Sequence, residues 1–199
     1  MNTQSLKGII KNIKPSHTIN NIEYDQAEII CARSNGKEDN ISIKFKKYSN
    51  RYTEGDIIEL TGNLRSYSKK LSDGKNKVSL YVFTYFDLPE DIEDNNLLLL
   101  DGRICKIDEI RKTKEGKENI HLTIANNLII EENNQKLNSY IPCIAWGRLA
   151  RVISNLHVND KVSIKGELHS REYKKMINDE EFEFRVAHEV VINQIEVLD

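Results

Sequence analysis

The sequence repeats one pattern in its two halves, and this duplication constrains the fold more than any other feature. Residues 55–70 give, in order, a turn, an alternating strand, a glycine, a leucine, a polar pair, an aromatic residue and paired lysines, and residues 159–175 give the same order. The halves also begin alike, with Leu-Lys-Gly-Ile-Ile at 6–10 and Leu-Asp-Gly-Arg-Ile at 100–104. Glycines that match in order, with their apolar neighbours, indicate two copies of one domain.

Alternation of apolar and polar residues predicts five strands in each copy. The predicted strands lie near 5–13, 22–33, 40–46, 56–68 and 77–86 in the first copy, and near 98–107, 119–127, 138–146, 160–173 and 181–197 in the second. A helix is predicted over 147–157, with an apolar stripe formed by Leu149, Val152, Ile153 and Leu156. The matching stretch of the first copy is short and polar.

Five strands with a helix between the third and the fourth is the layout of the OB-fold barrel. The predicted fold is therefore all-β, with two tandem five-stranded OB-fold barrels, the second with a helix between strands 3 and 4. The predicted domains are residues 1–88 and 97–199, joined by an acidic linker over 89–96. Glycines inside strands are typical of the bends that close a small barrel, and ordinary kinks in a β-sandwich are the alternative; they are Gly8, Gly62, Gly102 and Gly166.

The charge is distributed unevenly, although the formal net charge is only −2. Residues 1–86 carry 14 Lys and Arg against nine Asp and Glu, whereas residues 87–94 carry five acids and no base. A local basic face matters more for phosphate binding than the charge of the whole chain, so the balance does not exclude a nucleic-acid partner.

Three cysteines, Cys31, Cys105 and Cys143, form no Cys-x-x-Cys pair, and each lies in an apolar or alternating stretch. We expect buried thiols in a reducing compartment. No apolar run approaches the roughly 20 residues of a membrane helix, and the N-terminus lacks the apolar segment of a secretory signal. These features predict a cytoplasmic protein without a membrane partner.

The second half resembles the bacterial single-stranded DNA-binding proteins (SSB) over about residues 97–197. The most specific segment is Tyr-Ile-Pro-Cys-Ile-Ala-Trp-Gly-Arg-Leu-Ala at 140–150, which is similar to that family's third strand and the helix after it. Residues 162–173 resemble its fourth strand, which ends at an aromatic residue. The first half shows the resemblance more faintly.

The resemblance implies stacking of single-stranded DNA bases on aromatic side chains and phosphate contacts from lysines and arginines. Tyr140, Trp146 and Tyr173 occupy aromatic positions of the family, and Tyr67 lies close to the equivalent place in the first copy. Phe45 is aligned with Trp146, although its alternation with Ile41 favours a core position. Trp146 also has a structural alternative, in which it caps the barrel core. The basic residues predicted at the interface are Lys44, Lys46, Lys69, Lys70, Arg148, Arg171, Lys174 and Lys175.

Two positions depart from the family's pattern. Ile129 or Ile130 stands where a further aromatic is expected, and Asp39 or Asn40 replaces the aromatic of Tyr140 in the first copy. We therefore expect a thinner stacking surface. The resemblance also implies a homodimer that brings four OB-folds together.

The five histidines lack metal-ligand spacing, and no Gly-rich phosphate loop is present, so we predict no enzyme, metal, cofactor or small-molecule substrate. The predicted function is sequence-independent single-stranded DNA binding in replication, recombination or repair. Two alternatives remain. One is an adaptor of a primosome-like or mobile-element complex that binds proteins mainly and DNA weakly, and the other is an RNA-binding barrel.

Overall fold

The computed structural model describes residues 1–47, 52–70, 74, 76–84, 95–130, 135–176 and 181–199. Strands dominate these residues, so the all-β prediction is confirmed. The elements of the first half are β1 (Asn2–Ile19), β2 (Ile22–Ala32), β3 (Glu38–Lys46), β4 (Ile57–Lys70) and β5 (Asn76–Thr84). Those of the second half are β6 (Asn96–Ile107), β7 (Arg111–Lys112), β8 (Glu118–Ile130), β9 (Gln135–Trp146), α1 (Gly147–Ile153), β10 (Lys161–Met176) and β11 (Phe182–Leu198). Most of the predicted linker, residues 89–94, lies outside the described residues.

The predicted helix was too long. It ends at Ile153, and a turn follows at Ser154. Ala150 and Ile153 are its buried residues, whereas Val152 of the predicted stripe is exposed because it points away from the core. The short strand β7 was not predicted, since two residues are too few to show a period.

In each half the strand pairings form a closed ring of five strands. In the first ring β1 pairs with both β2 and β4, β2 pairs with β3, and β5 joins β3 to β4, with the β3–β5 pair parallel. The second ring repeats this order with β6, β8, β9, β11 and β10, and its β9–β11 pair is parallel. The side chains that point into the rings form the hydrophobic core, with Leu6, Ile41 and Leu64 in the first ring and Leu100, Ile141 and Leu168 in the second.

Closing rings of this size brings backbones into close approach at four glycines, two in each ring, and the equivalent pair Gly62 and Gly166 illustrates it. A Cβ atom on Gly62 would lie far inside van der Waals contact of the carbonyl oxygen of Phe83, and one on Gly166 would meet the carbonyl oxygen of Val191 in the same way. The strands therefore need glycine where they bend toward their neighbours.

The two rings are joined by an antiparallel pairing of β1 with β6 that runs from Asn2–Leu100 to Leu6–Asn96. The side chain of Asn2 donates to Leu64 O at 2.8 Å and accepts from Leu64 N at 2.8 Å. The side chain of Asn96 does the same with Leu168, at 2.8 and 3.1 Å. Each asparagine side chain thus forms the two hydrogen bonds that a paired residue's backbone would form, at the point where its strand passes from one ring to the other.

The prediction of three buried thiols was wrong for Cys105, which is exposed, whereas Cys31 and Cys143 are buried. Cys31 and Cys143 alternate with apolar residues that point into the rings. Cys105 lies beside a register shift between Ile104 and Lys106, where the alternation of β6 is interrupted and the side chain turns outward.

Candidate nucleic-acid interface

Strand β9 carries two exposed aromatic rings. Ile141, Cys143 and Ala145 point into the second ring of strands, and the alternate residues lie on the opposite face of β9, where Ile144 is buried as well. Among these, Tyr140 is 52% exposed and Trp146 is 42% exposed. The side chains of Tyr140 and Trp146 therefore both have open aromatic surface on which a planar nucleobase could stack.

A basic hairpin lies beside Trp146. Trp146 is paired with Asn119 of β8, and a cavity of about 510 Å³ is lined by Lys117, Glu118, Trp146 and Gly147. The hairpin that joins β7 to β8 carries exposed basic side chains, none of which was predicted at the interface: Arg111, Lys112, Lys114 and Lys117. Clusters of lysine and arginine are common in turns on any solvated surface. The sequence alone therefore gave no reason to place this cluster next to Trp146.

An exposed ion pair links helix α1 to this hairpin. Arg151 Nε lies 2.5 Å from Glu118 Oε2, and Lys112 Nζ lies 3.7 Å from Glu118 Oε1. The Arg151 guanidinium holds the pKa of the Glu118 carboxyl below its ordinary value, mainly through their hydrogen bond. The exposed Arg148, predicted at the interface, lies in the first turn of this helix.

Two paired segments extend beyond the rings and carry the other predicted residues. The first arm comprises residues 67–70 of β4 with 76–79 of β5, and the second arm comprises residues 171–176 of β10 with 182–187 of β11. Tyr67, Lys69 and Lys70 are exposed on the first arm. Parts of the hairpin turns predicted at 68–77 and 174–181 lie outside the described residues.

The second arm has two different faces because paired residues share a face and neighbours alternate. One face carries Arg171, Tyr173 and Lys175, with Tyr173 paired to Arg185. Lys174 lies on the other face, and its Nζ is 3.5 Å from the centroid of the Phe182 ring. The structure therefore separates Lys174 from the other three predicted residues of this arm.

Phe45 is a correction to the predicted site. Its side chain is 5% exposed and packs edge-on against Tyr52, with ring centroids 6.3 Å apart. Ile43 pairs with Val82 as Cys143 pairs with Val190, which makes Lys46, and not Phe45, the structural equivalent of Trp146. A slip of one residue exchanges the two faces of a strand, so the aligned phenylalanine lies in the core.

Aromatic and basic side chains form an array on the outward face of the first ring of strands, where Phe83 and Arg65 are buried and Lys44, Tyr24 and Tyr81 are partly exposed. Lys44 Nζ lies 4.7 Å from the Tyr81 centroid, and the Arg65 guanidinium lies 3.9 Å from that of Phe83. Tyr24 contacts Phe83 on this surface, with centroids 5.9 Å apart. The predicted Lys44 and Lys46 thus lie beside partly exposed tyrosines, Tyr24 and Tyr81, that were not assigned to the site.

His17 extends the array by stacking on Tyr24 at a centroid distance of 4.8 Å. Partial burial, with a smaller contribution from the Lys44 charge, lowers the pKa of His17. The lowered pKa favours the neutral imidazole, and the positive charge that this surface presents to solvent comes from the partly exposed Lys44 and Lys46.

The described residues contain no group of three or more His, Cys, Asp or Glu side chains that could hold a metal ion. No helix in the described part of the chain is long and apolar enough to cross a membrane.

One family model and two solved structures are similar to this chain. The model of the Single-strand binding protein family matches residues 95–198. A search of curated proteins by sequence finds no match. Among solved structures, the chain is similar to a deletion mutant of the single-stranded DNA binding protein from Thermus aquaticus, with a TM-score of 0.71, 17% identity and coverage of 100% of this chain and 94% of that chain. The wild-type protein from the same organism gives a TM-score of 0.69, 18% identity and coverage of 100% and 93%.

Proposed function

This chain belongs to the single-strand binding protein family, and from that premise we propose that it binds single-stranded DNA without sequence preference. Bases stack on exposed aromatic rings, and phosphates are contacted by lysine and arginine side chains. The observation that carries the proposal is the outward position of Tyr140 and Trp146 on β9, both with open ring surface. Stacking is tolerant of sequence because every base has a π face.

We propose that each closed ring is one OB-fold domain and that α1 lies between the third and fourth strands of the second. The ring order in which the first strand pairs with the second and the fourth, and the fifth joins the third to the fourth, supports this assignment. The proposed domain boundary then lies between the end of β5 at Thr84 and the start of β6 at Asn96.

The proposed contacts combine residues from both halves. Tyr140, Trp146 and Arg148 form the contact surface of the second ring. Tyr67, Lys69 and Lys70 contribute from the first arm, and Arg171, Tyr173 and Lys175 contribute from the second arm. In the first ring Lys44 and Lys46 contact phosphates. Phe45 has no part in binding, since its ring lies in the core.

The proposed biological role is protection of single strands during replication, recombination or repair. We further propose that two chains associate and bring four rings together. A groove along the outer side of the second ring, lined in part by Leu99, Val152 and Ile195, supplies apolar surface for such a contact. Sedimentation at several concentrations tests it, and a purely monomeric chain would contradict it.

The adaptor alternative makes a different prediction for the same variants. If single-stranded DNA is the ligand, replacing both Tyr140 and Tyr173 by alanine weakens binding of labelled oligo-dT by about thirtyfold or more, since each lost stack is worth about 1–3 kcal/mol. A chain that acts mainly on proteins would keep its activity in the double variant. Competition with an RNA oligomer of equal length separates DNA from RNA.

A further inference from the structure

The two halves meet at two equivalent corners. At the first corner, Tyr140 N donates to Ser66 Oγ at 2.7 Å. At the second corner, Asn40 N donates to Ser170 Oγ at 2.8 Å, and His188 Nε2 donates to Asn40 O at 2.7 Å. Ser66 and Ser170 are equivalent, because each lies four residues after the glycine at which its strand bends, and Asn40 stands in the place of Tyr140.

Each corner has a ring wall and an arm wall. At the second corner the ring wall is the outward face of β3, where Asn40 is followed by Ser42, Lys44 and Lys46 at alternate positions. The arm wall is the face of the second arm that continues from Ser170 and His188. Its residues are Glu172, Lys174, Met176, Phe182, Phe184 and Val186.

The arm wall of the second corner exposes aromatic rings to solvent. Phe184 is 71% exposed and Phe182 is 44% exposed, and their rings meet edge to face with centroids 5.5 Å apart. Lys174 is paired directly with Phe184 and reaches over Phe182. Exposed apolar surface of this kind is unfavourable in water and marks a contact site.

Both corners combine aromatic and basic side chains, but the aromatic ones lie on the ring wall at the first corner and on the arm wall at the second. At the first corner the ring wall supplies the aromatic rings, Tyr140 and Trp146, and the arm wall supplies Lys70, which is paired with Asn76. At the second corner the ring wall has Asn40 and Lys46 at those positions. The arm wall there has Phe184 where the first arm has Asn76.

We infer that the second corner is a second stacking site for single-stranded DNA, in which a base stacks on Phe184 of one half, beside Phe182 and Lys174, while Lys44 and Lys46 of the other half contact phosphates. This inference rests on the proposed function. It also gives the aromatic residues missing from the first ring a replacement on the opposite half. The second arm thus supplies the aromatic side chains that the stacking surface of the first ring lacks.

The charges at this corner favour a nucleic acid over an apolar protein partner. Three lysines, Lys44 and Lys46 of the ring wall and Lys174 among the phenylalanines, lie at this corner. They outnumber Glu172 of the arm wall and Glu28, which is paired with Ser42 on the ring wall and accepts a 3.0 Å hydrogen bond from Asn40 Nδ2. A protein that covered the phenylalanines with apolar groups would have to desolvate these lysines, whereas a DNA strand brings a phosphate with each base.

The test compares substitutions at Phe184 by fluorescence anisotropy of labelled oligo-dT. Phe184→Trp keeps a stacking ring, whereas Phe184→Leu keeps apolar surface without one. We expect Phe184→Leu to weaken binding about fivefold or more and Phe184→Trp to retain it, because loss of one stack is worth at least about 1 kcal/mol. Ile57→Ala is the matched control, since Ile57 is 72% exposed and begins β4, nine residues before Ser66 of the first corner.

A second measurement reads the contact directly. With Trp146 replaced by phenylalanine, the variant Phe184→Trp has its tryptophan at position 184 alone, and stacking of a base on that ring quenches its fluorescence. We expect quenching that saturates with the anisotropy signal. Absence of quenching while DNA is bound would overturn the inference.

The outcomes separate this inference from the proposed function. If the unaltered chain does not bind oligo-dT, the proposed function fails. If it binds and Tyr140→Ala weakens binding while Phe184→Leu does not, the proposed function stands and the second stacking site is wrong. If Phe184→Leu abolishes self-association in sedimentation but leaves DNA affinity unchanged, the phenylalanines bind a second chain, which also overturns the inference.

Discussion

Asp39 accepts a 2.6 Å hydrogen bond from the backbone amide of Ser170, and this contact ties the first ring to the base of the second arm. Asp39 is fully buried and forms an ion pair with Arg33. Arg33 in turn donates to Ser170 O at 3.0 Å. The equivalent contact at the first corner is weaker, since Ser66 N donates to a serine hydroxyl, Ser139 Oγ, at 3.3 Å. The second corner is therefore held by a charged group, and the first by neutral ones.

Removing the charge of Asp39 will destabilise the protein. Asp39→Asn leaves the Arg33 guanidinium in a mostly buried place without its counter-ion, and breaking a buried pair from one side costs about 3 kcal/mol or more. Urea unfolding followed by circular dichroism measures the loss. The control is Glu23→Gln, which removes an exposed ion pair with Lys47 and is expected to change stability very little. Equal stabilities of the two variants would contradict the role of Asp39.

Phe45 separates core packing from stacking. Phe45→Ala removes a buried ring, so we expect the free energy of unfolding to fall by about 3–5 kcal/mol. Phe45→Leu conserves more volume and will cost less. At temperatures where the folded state persists, Phe45→Leu will bind oligo-dT as tightly as the unaltered chain. If Phe45→Leu weakened binding of oligo-dT without lowering the free energy of unfolding, Phe45 would be a DNA-contacting residue, and its assignment to the core would be wrong.

The single tryptophan of the sequence makes Trp146 its own reporter. Because its ring is partly exposed beside the basic hairpin, we expect oligo-dT to quench its fluorescence. Trp146→Ala will weaken binding about fivefold or more, whereas Trp146→Phe will retain most of it. If Trp146 only capped the core, the alanine variant would lose stability and the fluorescence would not respond to DNA.

The three thiols differ in reactivity. Burial raises the pKa of Cys31 to about 12, with a smaller contribution from the charge of Asp39, and burial likewise raises the pKa of Cys143. Partial burial raises the pKa of the exposed Cys105 above its ordinary value. Since the thiolate reacts, iodoacetamide will modify Cys105 first, and the rate will increase as the pH rises toward that pKa.

Cys31 and Cys143 will react only when the chain unfolds, which intact-mass spectrometry will show as a single early adduct. Cys105→Ser will remove that adduct. Two rapid adducts on the folded chain would contradict the burial of the other two thiols.

The alternation of side chains was sufficient to locate ten of the strands. Each of these strands has one face in the core, and burial of that face imposes a period of two that the sequence shows directly. Matching Phe45 with Trp146 failed for the same reason, because the match followed the aromatic character of the two residues rather than their phase in the strand. Ile41 and Ile43 share the phase of Phe45, and Lys46 shares that of Trp146.

The second arm shows what the sequence could not predict. The Phe-Glu-Phe alternation at residues 182–184 indicates a strand with an apolar face, and on pattern alone that face belongs in the core. The pairing of residues 171–176 with 182–187 carries it beyond the ring, where Phe184 is exposed. How far a hairpin extends past its barrel depends on tertiary pairing, which no local period records.

The central claim is that this chain binds single strands by stacking and phosphate contacts. Anisotropy of a labelled oligo-dT of about 30 nucleotides, with unlabelled duplex as competitor, tests it most directly when repeated over a range of salt concentrations. We predict submicromolar binding at low salt, a fall in the logarithm of affinity that is linear in the logarithm of salt concentration, and little displacement by duplex. No binding at low salt, or equal displacement by duplex, would contradict the account.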